Sequence, residues 1–379
     1  MRAVEVVPTD GSAEAARALG SRLIAAAGGD GTAILPTGPD DPPPPASLTA
    51  PVAGGVAAVV TTSGSTGSPK AVLLSGTALA ASAAATAARL GGEGRWLLAL
   101  PAHHVAGIQV LLRSARAGSP AAVMDLRDGF RPDGFAATLR DARRDGGPVS
   151  RTSLVPTQLR RLLEDGGAGL DALRSLGAVL VGGAATEAAL LARARAAGVR
   201  VVTTYGMSET CGGCVYDGVP LDRVSVDLEP DGRVVLSGAT IAEGYRGAPD
   251  TDFLPGRRFR TSDIGRIDAD GRLEILGRAD DVIVTGGEKV PPVLVERALL
   301  GVPGVREACA VGIPDDEWGA RVVAVVAGAG LDAEDVRGRV APGLGRAAPR
   351  AVRVVDEVPL RGIGKPDRAA VRALFVDAP

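Results

Sequence analysis

A run of hydroxyl residues, glycines and one lysine between residues 61 and 70 is the strongest local sign of chemistry in this chain. It reads Thr-Thr-Ser-Gly-Ser-Thr-Gly-Ser-Pro-Lys and ends at Lys70. A loop so rich in hydrogen-bond donors is suited to wrapping phosphate oxygens. It does not match a Walker loop, because its glycines are too close together and a strand, Ala71–Leu74, is predicted after the lysine. The alternative is a flexible Ser/Gly turn.

The lysines of the chain are a second pointer to chemistry. They are Lys70, Lys289 and Lys365, and the remaining 39 of the 42 basic residues are arginine. In a sequence with this bias, a lysine indicates a position that needs a compact ammonium rather than a planar guanidinium. All three lie close to glycines.

Six further motifs follow the loop. They are Gly182-Gly183-Ala184, Tyr205 to Thr210, Gly238 to Tyr245, Arg260 to Asp263, Gly277 to Lys289 and Pro359 to Arg368. Together with the loop, they resemble in type and order the motifs of the AMP-forming acyl-CoA synthetase, adenylation-domain and luciferase superfamily. Ser208 and Ser262 depart from the family pattern, which has threonine and glycine there. The three lysines fall in the first, sixth and seventh motifs.

The resemblance implies that the chain binds ATP and activates a carboxylate as an acyl-adenylate. The loop would hold the β- and γ-phosphates, Tyr205 would stack on adenine, and Asp263 would accept hydrogen bonds from the ribose hydroxyls. The residues expected to bind ATP or AMP are Thr62, Ser63, Gly64, Ser65, Thr66, Gly67, Gly182, Gly183, Ala184, Tyr205, Gly206, Ser208, Asp263 and Arg278.

Three residues are expected to be catalytic. Lys365 would bridge the substrate carboxylate and the α-phosphate as they approach. Lys70 would place a point charge on the leaving phosphates. Glu209 offers a hard oxygen ligand for Mg²⁺, so it is the expected metal ligand.

The same resemblance implies a moving C-terminal domain. Adenylation needs Lys365 in the site, yet a thiol must later reach the same carbonyl. The family resolves this by rotation about a hinge aspartate, which Asp280 matches. The rotation would withdraw Lys365 and bring Gly287 and Lys289 to a channel for the pantetheine arm of CoA, the expected co-substrate.

Two more segments narrow the acid. Leu100–Ser114 and Thr152–Leu159 resemble the o-succinylbenzoate–CoA ligase family, which makes a thioester on the route to menaquinone. The resemblance implies conversion of 2-succinylbenzoate, ATP and CoA into 2-succinylbenzoyl-CoA, AMP and diphosphate. It places His104 in the acid pocket, and Gln109, Ser153 and Thr157 are weaker candidates.

Two other functions remain open at this point. One is a stand-alone adenylating enzyme that loads another aryl or acyl acid onto a carrier protein. The other is a nucleotide-binding module without catalysis, which the intact Lys70, Glu209, Asp263 and Lys365 disfavour. The pair Cys211 and Cys214 could suggest redox chemistry, but it follows the Mg²⁺ motif without a thioredoxin-like context and is interpreted as wall residues.

The elements that must position these residues follow an α/β pattern. Buried strands are predicted at Ala57–Thr62, Trp96–Leu100, Ala121–Met124, Ser153–Val155, Ala178–Val181 and Val199–Thr203. Helices are predicted at 11–27, 105–117, 157–164 and 185–197, and the Pro-rich stretch 36–51 is predicted to be an extended connector. This alternation indicates a largely parallel sheet.

Beyond about residue 220 the pattern changes. Turn signals at 230–232 and 270–271 separate short alternating runs, which predicts an antiparallel β subdomain. From about 281, helices at 291–300, 332–340 and 367–375 alternate with strands at 305–311, 321–327 and 351–355. The predicted fold is therefore α/β, with an N-terminal domain at 1–279 and a small, mobile α+β domain at 280–379.

Composition excludes other classes of protein. The 379 residues carry a formal net charge of -2, so the electrostatic footprint of a nucleic-acid binder is missing. No apolar run approaches the roughly 18 residues of a membrane span, and the N-terminus lacks the order of a signal peptide. Three cysteines and two histidines cannot form a disulfide framework or a four-ligand zinc site without carboxylates. The expectation is a soluble cytoplasmic enzyme with small-molecule partners, a homodimer being one option.

Overall fold

The computed structural model describes residues 1–62, 70–361 and 365–376, without the side chains of Arg361, Lys365 and Val376. Contacts group the chain into two units. The larger unit comprises Met1–Asp227 and Val235–Thr261, and the smaller unit comprises Leu228–Val234 and Ser262–Pro379. The predicted α/β fold, with a large N-terminal part and a smaller C-terminal part, is confirmed.

The first two-thirds of the chain alternates strands and helices. The strands are β1 (Val4–Pro8), β2 (Ala33–Thr37), β3 (Val56–Thr62), β4 (Lys70–Ser75), β5 (Arg95–Leu98), β6 (Ala122–Val123), β7 (Val149–Leu154), β8 (Ala178–Val181), β9 (Val201–Met207), β10 (Gly212–Tyr216) and β11 (Val219–Pro220). The helices are α1 (Ala13–Gly28), α2 (Ala46–Thr49), α3 (Gly76–Arg89), α4 (Val105–Arg116), α5 (Pro132–Gly146), α6 (Pro156–Asp165), α7 (Ala168–Arg174) and α8 (Ala188–Ala196).

The remaining elements include most of the antiparallel structure. The strands are β12 (Val224–Leu228), β13 (Arg233–Gly238), β14 (Gly244–Arg246), β15 (Phe253–Leu254), β16 (Arg258–Ile267), β17 (Leu273–Arg278), β18 (Ile283–Thr285), β19 (Glu288–Val290), β20 (Val305–Asp315), β21 (Gly319–Gly328), β22 (Ala351–Val355), β23 (Leu360–Arg361) and β24 (Lys365–Pro366). The helices are α9 (Pro292–Leu300), α10 (Ala333–Leu344) and α11 (Arg368–Val376).

The central sheet of the larger unit has seven strands in the order β11-β10-β9-β8-β7-β5-β6. Strands β5 to β9 are parallel, as predicted, and β10 and β11 add an antiparallel edge. Leu97 joins a core with Phe135, Leu159 and Val179, contributed by α5, α6 and β8. The neighbouring Trp96 is also buried, on the opposite face, because side chains alternate along a strand. Both faces are therefore covered, as parallel sheets require.

A second sheet of the larger unit has the order β1-β2-β3-β4-β14. Strands β1, β2 and β3 are parallel, whereas β3 and β4 form an antiparallel pair in which Thr62 lies opposite Lys70. The edge strand β14 pairs with β4 and places Tyr245 opposite Val72. The sheet thus brings the end of the predicted phosphate loop beside a tyrosine that is distant in sequence.

The prediction of a purely extended connector at 36–51 is wrong in two places. Pro36 lies inside β2, and residues 46–49 form one helical turn. A proline fits within β2 because this strand pairs with β3 only at Ile34, so the missing N–H of Pro36 leaves no ladder bond unmade on that side.

The predicted antiparallel region after residue 220 is confirmed, because β16 pairs antiparallel with both β15 and β17, in a sheet with the order β12-β13-β16-β15. In the smaller unit, β20, β21 and β22 form a three-stranded sheet. Helices α9 and α10 share one hydrophobic core with this sheet, and α11 shares a second one. The predicted domain boundary at Asp280, which concerns a hinge, stays a prediction.

Candidate active site

Candidate residues collect where the parallel strands of the central sheet end. Glu209 follows β9, Gly182 follows β8, Thr157 follows β7 and His104 follows β5. Carboxyl ends of parallel strands meet at one edge of a sheet, which is where ligands bind in open α/β sheets. The strand order β9-β8-β7-β5 therefore ranks these residues from the predicted nucleotide side to the predicted acid side.

Glu209 lies in a 3-10 turn, Ser208–Thr210, and is 9% exposed. Its Oε1 accepts a hydrogen bond from the Tyr245 hydroxyl at 2.8 Å. Among the described residues, no donor contacts Oε2. The backbone of the turn is fixed as well, because the Glu209 carbonyl accepts from Ala242 N–H. A fixed carboxylate with one uncommitted oxygen suits a hard cation.

Lys70 opens β4 and reaches the same tyrosine. Its Nζ lies 4.6 Å from the centre of the Tyr245 ring and 3.9 Å from Asp252 Oδ2. Thr62, across the hairpin, donates its hydroxyl to the Lys70 carbonyl at 3.3 Å. The expected phosphate-loop residues Ser63, Gly64, Ser65, Thr66 and Gly67 lie outside the described residues.

The predicted adenine segment depends on close backbone approach. Gly182 N–H donates to the Leu154 carbonyl, and a Cβ at Gly182 would lie 2.2 Å from Thr204 Oγ1. A Cβ at Gly206 would lie 2.2 Å from the Gly212 carbonyl oxygen. Glycine at both positions is therefore explained by packing between β8, β9 and β10. Ala184 and the half-buried Tyr205 lie beside these glycines in the chain, at the same edge.

The acid-side candidates differ in their surroundings. His104 is the N-cap of α4 and is half-buried, as is Thr157 in α6. Ser153 is 8% exposed on β7. Gln109 is 1% exposed and donates its amide to the Leu79 carbonyl at 3.4 Å. Gln109 thus faces the packing between α3 and α4, and its contact with an acid stays a prediction.

In the smaller unit, one arginine joins two predicted functional aspartates. Asp263 and Arg278 lie opposite each other on β16 and β17. The Arg278 Nη1 is 3.6 Å from Asp263 Oδ1, and its Nη2 is 3.1 Å from Asp280 Oδ2. Sequence reasoning expects Arg278 to contact ribose but does not anticipate this link to the hinge aspartate.

The segment expected to meet CoA is a tight hairpin. Thr285 pairs with Glu288, and the two turn residues Gly286 and Gly287 have φ of 56° and 79°. Two positive φ values define a turn that favours glycine, which accounts for Gly287 without a channel. A Cβ at Gly286 would also lie 2.6 Å from the Trp318 ring, whereas no described residue comes within 4 Å of a Cβ at Gly287. Lys289 is exposed on β19.

Lys365 opens β24, paired with Arg361 of β23. Three residues later, Arg368 begins α11 and anchors it. Its guanidinium lies 2.6 Å from Glu296 and 3.2 Å from Asp281, and it donates to the Ala310 carbonyl at 2.6 Å. Burial alone would lower the pKa of Arg368, but the two carboxylates raise it above its ordinary value. The anchoring role of Arg368 is not evident from the sequence.

Tyr245 and Asp252 are the functional candidates that sequence reasoning missed in the larger unit. Tyr245 enters the sequence argument only as the end of a glycine motif. A signal existed, because the chain has only three tyrosines and 3% aromatic residues. In contrast, Cys211 and Cys214 are fully buried, and burial raises the pKa of the Cys214 thiol to about 12, so a reactive redox pair is not supported.

Comparison with known proteins identifies the class. The AMP-binding enzyme family matches residues 7–245, and its C-terminal domain family matches residues 294–365. The chain therefore belongs to the AMP-binding enzymes.

Its relatives within that class are 2-succinylbenzoate–CoA ligases. A Mycobacterium tuberculosis protein named "Probable 2-succinylbenzoate--CoA ligase" is 46% identical over 316 residues, which is 81% of each chain. The 2-succinylbenzoate–CoA ligase of Listeria monocytogenes is 30% identical over 291 residues, covering 72% of this chain and 60% of that protein.

Solved structures point to the same class of enzymes. The o-succinylbenzoate CoA synthetase (MenE) of Bacillus subtilis, in complex with the acyl-adenylate intermediate OSB-AMP, superposes with a TM-score of 0.73 at 28% identity, covering 86% of this chain and 69% of that one. The amide bond synthetase McbA of Marinactinospora thermotolerans gives a TM-score of 0.76 at 28% identity, covering 99% and 80%. Within the described part of the chain, no helix is long and apolar enough to cross a membrane.

Proposed function

We propose that this protein is an ATP-dependent ligase that converts 2-succinylbenzoate, ATP and CoA into 2-succinylbenzoyl-CoA, AMP and diphosphate. The observation that carries the proposal is 46% identity to a protein of that name over 81% of both chains. The site geometry agrees with it, because a fixed carboxylate and a lysine converge in the larger unit. The thioester would serve menaquinone biosynthesis.

The first step joins the acid to AMP. A carboxylate oxygen of the acid attacks the α-phosphorus of ATP, and the bond to diphosphate breaks. Lys70 lies at the end of the loop expected to hold the phosphates, so its ammonium would offset the charge that develops on diphosphate. Lys365 would stabilise the attacking carboxylate and the α-phosphate. Asp263 would hold ribose and Tyr205 would stack on adenine.

Magnesium fits the donors that the structure offers. Glu209 supplies one uncommitted carboxylate oxygen, and Ser208 supplies a hydroxyl in the same turn. Among the described residues, no group of three or more His, Cys, Asp and Glu side chains could hold a metal. This donor set fits a cation bound partly by substrate phosphates, as Mg²⁺ usually is. When bound, the metal would neutralise phosphate charge.

The second step transfers the acyl group to CoA. The thiol sulfur, after losing its proton, attacks the acyl carbonyl, and the carbonyl–oxygen bond to AMP breaks. Access for the thiol is proposed to follow rotation at Asp280, with Gly287 and Lys289 near the incoming arm. The cytoplasmic location and the homodimer stay predictions.

An ATP–diphosphate exchange assay with a panel of acids tests the first step. We expect exchange with 2-succinylbenzoate, and little exchange with benzoate or succinate alone. Thioester formation with CoA, followed by mass spectrometry, tests the second step. Exchange without any CoA thioester would favour the alternative, a stand-alone adenylating enzyme that loads a carrier protein.

A further inference from the structure

Tyr245 connects two parts of the larger unit that are far apart in sequence. It lies on β14, the edge strand of the five-stranded sheet, whereas Glu209 follows β9 of the seven-stranded sheet. Lys70 lies on β4, the strand beside β14. A single side chain, 7% exposed, therefore contacts both the expected metal ligand and the lysine of the phosphate loop.

The contact with Glu209 is a hydrogen bond with a fixed direction. The Tyr245 hydroxyl donates to Glu209 Oε1 at 2.8 Å. A phenol has an ordinary pKa of about 10 and keeps its proton at neutral pH, so the hydroxyl is the donor and the carboxylate is the acceptor. A hydrogen bond to a charged acceptor in a buried setting is among the stronger kinds. It commits Oε1 and leaves Oε2 of Glu209 available to a cation.

The contact with Lys70 uses the face of the same ring. The ammonium lies 4.6 Å from the ring centre, within the range of a cation–π interaction. The carboxylate of Asp252, 3.9 Å from the ammonium, is 31% exposed, so water weakens that ion pair. The Tyr245 ring is buried, so it limits the positions of the Lys70 ammonium on a side where water does not compete for the contact.

Both the backbone and the ring of Tyr245 are held in place. The Tyr245 N–H donates to Asp250 Oδ1 at 2.6 Å, and the strand pairs with β4. The edge of Phe253 meets the tyrosine ring at 76°, with centroids 5.0 Å apart. The preceding Gly244 leaves room for Asp250, since a Cβ there would lie 2.9 Å from its carboxylate oxygens. Tyr245 is thus rigid enough to position other groups.

We propose that Tyr245 is a positioning residue that sets the Glu209 carboxylate through its hydroxyl and the Lys70 ammonium through its ring. The inference rests on the proposed function for the identity of what these two groups bind, namely the metal and phosphates of ATP. The two effects should be separable by mutation, because the hydroxyl contacts Glu209 and the ring contacts Lys70.

Two variants separate these contacts. Tyr245→Phe keeps the ring and removes the hydroxyl, whereas Tyr245→Leu removes both. We expect Tyr245→Phe to raise the Mg²⁺ concentration for half-maximal ATP–diphosphate exchange by about tenfold, the scale of one hydrogen bond to a charged group. The KM for ATP should change by less than about twofold at saturating Mg²⁺. Tyr245→Leu should raise both quantities.

Tyr216→Phe is a matched control. The Tyr216 hydroxyl is also buried and bonded, to Thr86 Oγ1 at 2.9 Å, but it contacts neither Glu209 nor Lys70. This variant should leave both the Mg²⁺ dependence and the KM for ATP unchanged. Addition of Tyr245→Phe to Glu209→Gln should change the Mg²⁺ dependence little further, because the two residues act through one bond.

A binding measurement makes the test independent of turnover. The melting temperature is measured with a non-hydrolysable ATP analogue while Mg²⁺ is varied, for the wild type and each variant. The Mg²⁺ midpoint should rise for Tyr245→Phe, while melting without ligand shows that the variant is folded. If no acid supports exchange but this midpoint still rises, the proposed function fails and the positioning role stands.

Three results would overturn the inference. The first is an unchanged Mg²⁺ midpoint in Tyr245→Phe, by exchange or by melting. The second is an equal rise in the Mg²⁺ midpoint and the KM for ATP in that variant. The third is the same shift in Tyr216→Phe, which would reduce the effect to loss of any buried hydroxyl.

Discussion

The two units of this protein hold their candidate functional groups in different ways. In the larger unit, Glu209 and Tyr245 are 9% and 7% exposed and share a hydrogen bond of 2.8 Å. In the smaller unit, the side chains of Arg278 and Asp280 are 40% and 43% exposed and form an ion pair at 3.1 Å. Exposed ion pairs exchange for water at little cost, whereas buried charge-assisted bonds do not.

This difference in exposure indicates which groups are already in place before substrates bind. A charge that develops in a reaction is best stabilised by groups that need no rearrangement, and the buried pair of Glu209 and Tyr245 fits that requirement. The predicted rotation at Asp280 would need contacts that break readily, and the exposed pair of Arg278 with Asp280 fits that requirement. The smaller unit also holds a partly buried network at Arg368, three residues after Lys365 in the chain.

Loss of Lys365 should give the largest effect, because the proposed mechanism relies on its charge while the acid attacks the α-phosphorus. Lys365→Ala should slow acyl-adenylate formation at least about a hundredfold, the scale for one preorganised electrostatic contact. Thioester formation from preformed acyl-adenylate should stay close to wild type. Rapid-quench measurement of each half-reaction decides, and equal losses in both would place Lys365 outside the adenylation step. The exposed Lys289→Ala is the matched control for adenylation.

Loss of Arg368 should destabilise the smaller unit, because it removes the ion-pair network that anchors α11. Arg368→Met leaves the partly buried Glu296 and Asp281 without their shared cation, which should cost about 2 kcal/mol, between the values for exposed and fully buried pairs. The free energy of unfolding, measured by denaturant titration, should fall by about that amount. Arg339→Met removes an exposed pair with Asp335 and should leave the free energy of unfolding close to the wild-type value. Similar values for both variants would show that the Arg368 network adds no special stability.

Loss of charge at Glu209 tests the buried pair of the larger unit. Glu209→Gln keeps the size of the side chain but weakens its hold on a cation, so the Mg²⁺ requirement should rise about tenfold or more. The free energy of unfolding should change little, because a side-chain amide oxygen can still accept a hydrogen bond from Tyr245. Glu243→Gln removes a nearby carboxylate paired with Arg257 and serves as the control. Unchanged Mg²⁺ dependence with a normal rate would move the metal site elsewhere.

The extent of sequence prediction also differs between the two regions. The strand at 351–355 and the helices near 292–300 and 368–376 follow their predicted positions closely, because periodicity and turn residues are local signals. The Tyr245–Glu209 bond joins residues 36 apart in sequence on different sheets, and no local pattern carries such a contact. Gly287 shows the reverse case, in which a residue expected to open a channel has a sufficient local reason in its turn.

The smallest effect is expected at His104, on the acid side. It follows strand β5, which is separated from β9 by β7 and β8, so these two strands lie about 14 Å apart across the sheet. His104→Ala should therefore raise the KM for 2-succinylbenzoate several-fold and leave the KM for ATP unchanged. The adjacent His103 provides the contrast, because its Nδ1 is 3.2 Å from Thr9 Oγ1 and burial lowers its pKa. A Cβ at Gly38 would lie 2.6 Å from the His103 ring, so this histidine fills space, and His103→Ala should lower the melting temperature with little change in either KM. A fall in ATP affinity in His104→Ala, with acid affinity intact, would assign this histidine to the nucleotide side and end the ranking of the site by strand order.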